Sequence, residues 1–556
     1  MKKRLTTLVA VCLAALLLLG AMPAIGATAT AATTDGQGTW QTDTTPITFD
    51  VYCNLSWFNA FWTTDVPTRV TSYITKKTGV NINFIIPSGN EAEKMNTMIA
   101  SGDVPDLIQS SVYDAGHQEL IDAGLALPLN KLADQYDKTF YSVVPPDQIG
   151  WYSKADGNIY DYPNFANAYS VAKGMLAAKD EDYLNGIAGN AVPLVRKDIY
   201  EAIGSPDMTQ PEGFIAALQA AQAKNFTAVD GSPISLVGFR EFNNAGNDIV
   251  NYLLAFTATP PYNADGTMTD ALTKPEIVRW LKTFRQAVQL GLISPDVFID
   301  PQATIRQKDG NAQYFVSFMG RADIRGDNTN LYTGGGKDSG VYYIPADMCR
   351  NAAGDAPTIS SALLLDGWQQ TLITTKCKDP ARAIRFLNYI NGPEGQQDNF
   401  FGEEGVTFDM VNGVPTLKPF LLDNSLSADD SFNNYAVAGA NWAWMNNDIT
   451  YKWTAATNKQ RAFDPSDDIT AYAVKYMDVV PFDSIVLEAG SDVAVASSNI
   501  STEWGTTLPR LLNAASDEEF DSILNAFLAK RDSLGYQQVL DAQNAIHLAN
   551  MAKLGM

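Results

Sequence analysis

The sequence predicts an α/β fold with a largely parallel sheet, divided into at least two lobes or domains. The chain has 556 residues, which is too long for one hydrophobic core. Its apolar content of 46% and charged content of 18% are typical of a globular protein. Between residues 47 and 108 strand and helix patterns alternate, which favours parallel strands joined by helices.

The first 29 residues have the pattern of a signal peptide. Basic residues at positions 2–4 precede an apolar run at 8–19, and small residues follow at 27–31. Cys12 lies inside the apolar run, so the sequence does not support a lipid anchor. We therefore expect an exported, extracellular protein that is associated with the cell surface, with a flexible leader at residues 30–45.

Five elements are predicted at the start of the folded part. Apolar alternation indicates strands, and apolar positions on one face followed by glycine indicate helices. The predicted order is strand 47–52, helix 70–76, strand 80–86, helix 91–100 and strand 107–108. Gly102 ends the second helix and Pro105 prevents its restart, so the loop after Ile108 opens at the carboxyl end of a strand. Ligands of open α/β sheets bind at such strand ends.

The later elements are more widely spaced. Helices are predicted at 211–224, 275–290 and 380–390, and strands at 314–319, 341–344 and 372–374. The carboxyl-terminal part is rich in helix, notably at 508–512, 518–532 and 537–552. No internal repeat is found.

Charge and cysteine content limit the function classes. The net charge of −23 argues against nucleic-acid binding, which needs clustered Lys and Arg. The mature chain holds Cys53, Cys349 and Cys377, an odd number, so at least one is unpaired within the monomer. Cys349 and Cys377 could form a disulfide in an exported protein, and buried free thiols are an equal alternative.

No catalytic or metal motif stands out. The chain has two histidines, His117 and His547, and no Gly-x-Ser-x-Gly motif accompanies either. Acidic residues that could form a glycosidase pair are abundant, so a pair would arise by chance and a solvated surface explains them better. There is no phosphate-binding glycine loop. The oxygen-rich runs at 263–266 and 464–468 lack a complete calcium loop and are interpreted as turns.

Aromatic clusters favour a binding protein. Trp57 lies near Trp62, and Trp442 and Trp444 alternate with asparagine in the run 441–447. A sugar presents C–H groups that stack on an aromatic plane and hydroxyls that need polar partners. Each of these aromatics could instead belong to the core, and the two interpretations remain open.

Taken in order, several motifs resemble those of extracellular solute-binding proteins of family 1, the sugar and oligosaccharide receptors of ABC transporters. The resemblance is to the long Gram-positive members and spans nearly all of the mature chain. Single motifs are weak, whereas their order and spacing are specific. They lie at 76–80, 101–106, 124–129, 156–163, 195–200, 291–295 and 379–389.

The resemblance implies a two-lobed clamp of class II topology with a ligand cleft between the lobes. Lobe 1 would comprise 46–163 plus 360–425, and lobe 2 would comprise 164–359 plus 426–556. The chain would pass between the lobes near 163–192, 355–368 and 425–440. The implied partners are a carbohydrate ligand and the permease subunits of an ABC importer, with the receptor itself a monomer.

The resemblance also implies ligand-binding residues. The aromatic clusters contribute Trp57, Trp62, Trp442 and Trp444 to the candidate site, and no catalytic or metal-binding residue is predicted. The remaining candidates, taken from the motif positions, are Asp106, Ser110, Tyr113, Tyr162, Arg321 and Trp368.

The sequence departs from the family in one further respect. Long members often carry a calcium loop after the helix that follows residues 195–198, but the run 223–231 lacks repeated oxygen ligands. Calcium is therefore not supported, and no cofactor is expected.

We expect an oligosaccharide receptor that closes around its ligand by hinge motion. The alternatives are an exported polysaccharide-active enzyme, a receptor for a peptide or other polar solute, and an adhesin built on the same clamp.

Overall fold

A computed structural model gives the structure of most of the chain. It describes residues 36–56, 62–242, 247–361, 365–422, 426, 428–437, 443–460, 463–479, 485–488 and 490–555. Among these residues, no helix has the length and apolar character needed to cross a membrane.

The strands are short and fall into two main sheets and two smaller pairs. Their bounds are β1 Ile47–Cys53, β2 Val80–Ile85, β3 Leu107–Ser110, β4 Tyr162–Asn164, β5 Leu194–Arg196, β6 Ser235–Gly238, β7 Tyr314–Ser317, β8 Tyr343–Pro345, β9 Ile359–Ser360, β10 Gln369–Ile373, β11 Phe408–Val411, β12 Val414–Leu417 and β13 Met477–Asp478.

Helices surround these sheets and make up most of the carboxyl-terminal part. Their bounds are α1 Val70–Thr78, α2 Glu91–Ser101, α3 Ala115–Asp122, α4 Leu129–Tyr136, α5 Phe140–Val143, α6 Pro146–Tyr152, α7 Tyr169–Ala178, α8 Glu181–Gly186, α9 Lys197–Ala202, α10 Pro211–Gln222, α11 Asn247–Phe256, α12 Pro275–Gln289, α13 Gln302–Gly310, α14 Arg321–Leu331, α15 Lys337–Ser339, α16 Pro380–Asn391, α17 Pro393–Phe401, α18 Pro419–Leu422, α19 Ala428–Asn434, α20 Asn447–Gln460, α21 Pro465–Lys475, α22 Asp492–Asn513, α23 Asp517–Ser533 and α24 Tyr536–Leu554. Short 3₁₀ turns occur at Trp40–Thr42, Ala271–Thr273 and Pro295–Phe298, and a π-turn at Tyr332–Gly336.

The first sheet has the strand order β2-β1-β3-β10-β4. Strand β1 runs parallel to β2 and β3, as the alternating pattern predicts. Strand β10 comes from a distant part of the chain and pairs antiparallel with both β3 and β4. The predicted parallel sheet is therefore confirmed for the first three strands, and β10 is the exception.

The second sheet has the order β6-β7-β5-β8. Strands β6 and β7 are parallel, whereas β5 pairs antiparallel with β7 and β8. Each sheet has its own core: Phe49, Val51 and Leu107 lie in the first, and Val195, Val237 and Val316 lie in the second. These two separate cores are the two lobes of the α/β fold.

The strand order shows where the chain passes between the sheets. Strand β4 belongs to the first sheet and β5 to the second, so residues 165–193 form a first passage. Strand β8 belongs to the second sheet and β10 to the first, so residues 346–368 form a second passage. The segment Met445–Asp448 contacts the start of the first passage. It lies beyond residues 425–440, where the resemblance places a third passage.

The two passages and the segment Met445–Asp448 meet at Asn164. Its backbone carbonyl accepts a hydrogen bond from Trp368 N at 3.1 Å, in the second passage. Its side-chain Oδ1 accepts one from Met445 N at 2.7 Å. The backbone N of the next residue, Phe165, donates to the carbonyl of Met445 at 2.8 Å. We call this group of contacts the Asn164 junction.

The three described cysteines are free and buried. The disulfide that the sequence allowed between Cys349 and Cys377 is not formed. Burial raises the pKa of Cys53 and of Cys377 to about 12, so both thiols stay protonated near neutral pH.

A Gly367→Ala substitution tests the Asn164 junction. Gly367 has φ +69°, and an added Cβ would lie 2.1 Å from the Asn164 carbonyl oxygen. We expect a loss of roughly 2–4 kcal/mol in unfolding free energy, because the two passages must separate. Urea denaturation measures it.

Gly354→Ala is the matched control. Gly354 also has a positive φ, +77°, but a Cβ there meets no atom within 4 Å. It should lose only about 1 kcal/mol from backbone strain. Equal losses of unfolding free energy in the two variants would contradict a stabilising role of the Asn164 junction.

Candidate functional site

The carboxyl ends of β1 and β3 form a polar edge on the first lobe. Asn54 follows β1, and its backbone N donates to the Gln109 carbonyl in β3 at 2.9 Å, so the two ends are adjacent. Asp114 Oδ2 accepts from Asn54 Nδ2 at 2.8 Å and from Ser111 N at 3.1 Å. One carboxylate therefore joins the two strand ends, where open α/β sheets bind ligands.

A tight turn at Ser111–Asp114 carries an aromatic ring at this edge. Asp114 N donates to the Ser111 carbonyl at 2.9 Å, and Tyr113 N donates to Ser111 Oγ at 3.2 Å. Tyr113 is 48% exposed, which is unusual for a large aromatic side chain. We call residues Ser111–Asp114 the binding turn.

The second lobe has a polar group at the corresponding strand ends. Arg240 follows β6, and its guanidinium lies 3.7 Å from Asp323 Oδ2 in the first turn of α14. A Cβ added at Gly320, after β7, would lie 2.9 Å from that same oxygen and 3.4 Å from the Tyr252 hydroxyl. Arginine, aspartate and tyrosine groups thus converge where two parallel strands end.

Sequence reasoning missed Arg240, Tyr252 and Asp323. The available signal was the apolar run 236–239 followed directly by Arg240 and Glu241, which is a strand end with charged residues. Strand β6 was not predicted, and so its end was not searched. Tyr252 and Asp323 lie on helices and reach the site only through tertiary packing.

Several predicted site residues belong to the core instead. Trp444 is 1% exposed, and its ring packs edge-on against Trp62 at 5.9 Å and Phe386 at 5.7 Å. Trp62 Nε1 donates to a threonine hydroxyl within the same lobe. Tyr162 is also buried, and its hydroxyl donates to Asn388 Oδ1 at 2.9 Å. The structure therefore corrects these three predictions, because the rings fill the interior of the first lobe.

Asp106 has a structural position as well. It is buried, and its carboxylate accepts from Asp50 N and Lys378 N, both at 2.8 Å. The Lys378 ammonium lies 2.9 Å away. Asp106 thus fastens the start of β3 to β1 and to the loop after β10, and it offers no free oxygen edge to a ligand.

Arg321 holds the first passage to the second lobe. Its guanidinium donates to the carbonyls of Ala188 at 2.7 Å and Gly189 at 3.2 Å, and its backbone N donates to Asn190 O. Burial, with a smaller contribution from Arg325, lowers the pKa of Arg321 to about 10. The predicted ligand contact is replaced by an internal one.

Two predicted rings are at the surface of the described residues. Tyr113 lies on the binding turn, and Trp368 lies on the second passage, half-buried and edge-on to Phe165 at 5.8 Å. Trp57 and Trp442 lie outside the described residues.

Ser110 belongs to a buried chain of hydrogen bonds. Its Oγ lies 2.8 Å from His117 Nδ1, and His117 Nε2 lies 2.7 Å from Asp161 Oδ1. All three residues are at most 1% exposed. Catalytic triads place serine on Nε2 and aspartate on Nδ1, and the serine must reach substrate. Here the serine lies on Nδ1 and the aspartate on Nε2, and Ser110 is buried. These hydrogen bonds therefore do not have the arrangement of a catalytic triad.

The run 223–231 does not fit a calcium ion. Asp230 is its only carboxylate. The carbonyl of Thr227, which could serve as a ligand, accepts from the Arg196 guanidinium at 2.8 Å, so a cation from the chain itself already occupies this position. Among the residues that the structure describes, no group of three or more acidic, His or Cys side chains is placed to hold a metal.

A buried carboxyl group lies under the polar end of the second lobe. Asp309 Oδ1 accepts from Ser317 Oγ at 3.1 Å, and Asp309 Oδ2 has no hydrogen-bond partner. Burial raises the pKa of Asp309 to about 8, with a smaller contribution from Asp327. The group is therefore largely protonated at neutral pH.

Comparisons with known proteins identify the family of the chain. The family model described as bacterial extracellular solute-binding protein matches residues 70–406. The fructooligosaccharide ABC transporter substrate-binding protein FusA of Streptococcus pneumoniae serotype 4 is 22% identical over 232 residues. That match covers 40% of this chain and 41% of FusA, so it spans about two fifths of the relative.

Solved structures share the fold over nearly the whole chain. The alginate-binding protein AlgQ2, solved without calcium ion, has a TM-score of 0.65 at 20% identity and covers 92% of this chain and 99% of its own. FusA of S. pneumoniae in complex with kestose has a TM-score of 0.64 at 15% identity, with 91% and 100% coverage. A solute-binding protein of Bifidobacterium longum infantis that binds HMO has a TM-score of 0.58 at 15% identity, with 91% and 99% coverage.

Asp309→Asn should make the protein more stable at alkaline pH. The native carboxyl group keeps its proton up to about pH 8, whereas the ordinary value is 3.8. The native state therefore binds more protons between these values, and unfolding free energy falls as pH rises across the interval. The variant lacks this loss, so its advantage should grow by at least about 1.4 kcal/mol, one pKa unit, between pH 5 and 8.5.

Denaturant unfolding at the two pH values measures this difference. Asp338→Asn, at an exposed position, is the control for the loss of one carboxyl group. A constant difference for Asp309→Asn would show that its carboxyl group is ionised in the native protein.

Proposed function

The chain belongs to the family of bacterial extracellular solute-binding proteins, and on this basis we propose that it captures an oligosaccharide between its two lobes and delivers it to an ABC importer. Residues 1–29 would direct export, and the transmembrane subunits of the importer would receive the loaded protein. The protein would act without catalysis, without a resident metal and as a monomer.

The observation that supports the proposal is that each lobe carries polar groups where its strands end, and that two passages of the chain connect the lobes. The binding turn on one lobe supplies the Asp114 carboxylate and the Tyr113 ring, while the other lobe supplies Arg240 and Asp323. Carboxylates and guanidinium groups bind hydroxyls in pairs, and an exposed ring can stack on the C–H face of a sugar. Ligand contacts on both lobes would favour the closed arrangement.

Relatives support an oligosaccharide as the ligand. FusA is named for fructooligosaccharides, and AlgQ2 is named for alginate. Fructooligosaccharides are neutral and alginate is a polyanion, so the charges at this site indicate which class of ligand it favours. The acidic groups at both polar edges favour a neutral chain of sugars over a polyanion.

A thermal-shift screen tests the proposed function. Kestose, nystose, alginate oligomers and a mixed peptide pool are the probes. Ligand at 100 times its dissociation constant should stabilise the protein by about 2.7 kcal/mol. Stabilisation by neutral oligosaccharides without product formation supports the proposal; a response only to peptides, or hydrolysis of the sugar, would contradict it.

Tyr113→Ala should weaken binding of the responding oligosaccharide roughly tenfold, because an aromatic anchor at a binding surface commonly contributes more than 1 kcal/mol. Isothermal titration calorimetry measures the affinity. Tyr141→Ala is the control, since Tyr141 is 37% exposed on the same lobe but bonds to Asp134 and Asn130, away from the strand ends. Equal affinity of the two variants would remove the binding turn from the site.

A further inference from the structure

We infer that His117 is a positioning residue that couples the binding turn of the first lobe to β4, the strand that leads into the first interlobe passage. The inference rests on the proposed function, because it concerns how the same site responds to ligand. His117 is 1% exposed and cannot touch a ligand itself. Any effect on binding must therefore pass through its neighbours.

The first link runs from the binding turn to the imidazole ring. Ser110, the last residue of β3, directly precedes the turn, and its Oγ lies 2.8 Å from His117 Nδ1. The backbone N of His117 donates to the carbonyl of Asp114, the last residue of the turn, at 2.9 Å. The ring and its own backbone thus hold both ends of the binding turn.

The second link runs from the ring to the residue before β4, the strand that leads into the first passage. His117 Nε2 lies 2.7 Å from Asp161 Oδ1, and Asp161 precedes β4, which ends at Asn164. Burial by itself would raise the pKa of Asp161, but His117 and Lys154 outweigh it and hold that pKa below its ordinary value. The hydrogen bond to the ring is therefore made by a carboxylate, which is the stronger kind of acceptor.

A parallel connection leads from the same turn to the second passage. Val112 N donates to Gln370 Oε1 at 2.9 Å, and Gln370 Nε2 donates to the Asp366 carbonyl. Gln370 is fully buried. The binding turn is thus tied by buried side chains to β4, which leads into the first passage, and to the second passage; one of these side chains is His117. A force on Tyr113 from a bound ligand would reach the Asn164 junction through these two side chains.

Two near-isosteric substitutions separate the two links. The amide of asparagine reaches the position of Nδ1, so His117→Asn can keep the bond to Ser110 and loses the one to Asp161. The amide of glutamine reaches the position of Nε2, so His117→Gln keeps Asp161 and loses Ser110. If His117 transmits between the two sides, each variant should weaken oligosaccharide binding roughly five- to tenfold.

The non-additive effect of combining His117 and Ser110 substitutions on affinity is a measurement that a merely structural role would not change. In the His117→Gln background, Ser110→Ala should have no further effect on affinity, whereas in wild type it should weaken binding roughly threefold. The matched control is His547→Gln, because His547 is the chain's other histidine and stacks on Tyr262 at 4.1 Å in a different part of the fold. This variant should lower the melting temperature without changing affinity.

The outcomes distinguish this inference from the proposed function. If wild type binds no oligosaccharide, the proposed function fails. If wild type binds and both His117 variants bind with wild-type affinity, the inference fails. Should either His117 variant not fold, Ser110→Ala and Asp161→Asn decide the question: unchanged affinity in both overturns the coupling, and weaker binding in both supports it.

Discussion

Asn164 joins distant parts of the chain through its backbone carbonyl and its side chain, at the point where the chain leaves the first sheet. Each lobe has its own core, so the segments that run between the lobes help to set how the lobes meet. The carbonyl of Asn164 accepts from Trp368, its Oδ1 accepts from Met445, and Gly367 allows the close approach. The proposed hinge closure would rotate the lobes about a compact junction such as this one.

The polar edges of the two lobes could contact one ligand together only if the lobes close around it. Neither the Asp114 group nor the Arg240–Asp323 group would bind a flexible sugar tightly by itself, because each covers only one side. Contacts on both sides raise affinity only when the lobes can meet around the ligand. Buried links from the binding turn to the passages, through His117 and Gln370, would make ligand contact and closure one event.

Local patterns predicted the early part of the fold well. Strands β1 and β2 and helix α2 lie within two residues of their predicted bounds, because apolar alternation, basic residues and glycine act over a few positions. Long-range pairing was beyond reach, so β10 between β3 and β4 was not foreseen. The same limit applies to the prediction of the site. Trp444 and Tyr162 are aromatic residues of the kind that bind sugars, but tertiary packing places both in the core. Arg240, which follows β6, lies beside Asp323 of α14 only through folding.

Ligand binding is expected to close the two lobes around the Asn164 junction. Small-angle X-ray scattering of the full mature chain tests this closure, with and without a saturating amount of the oligosaccharide that gives the largest thermal shift. The radius of gyration should be smaller with that ligand and unchanged with a sugar that gives no thermal shift. Saturation of the site with an unchanged radius of gyration would contradict it.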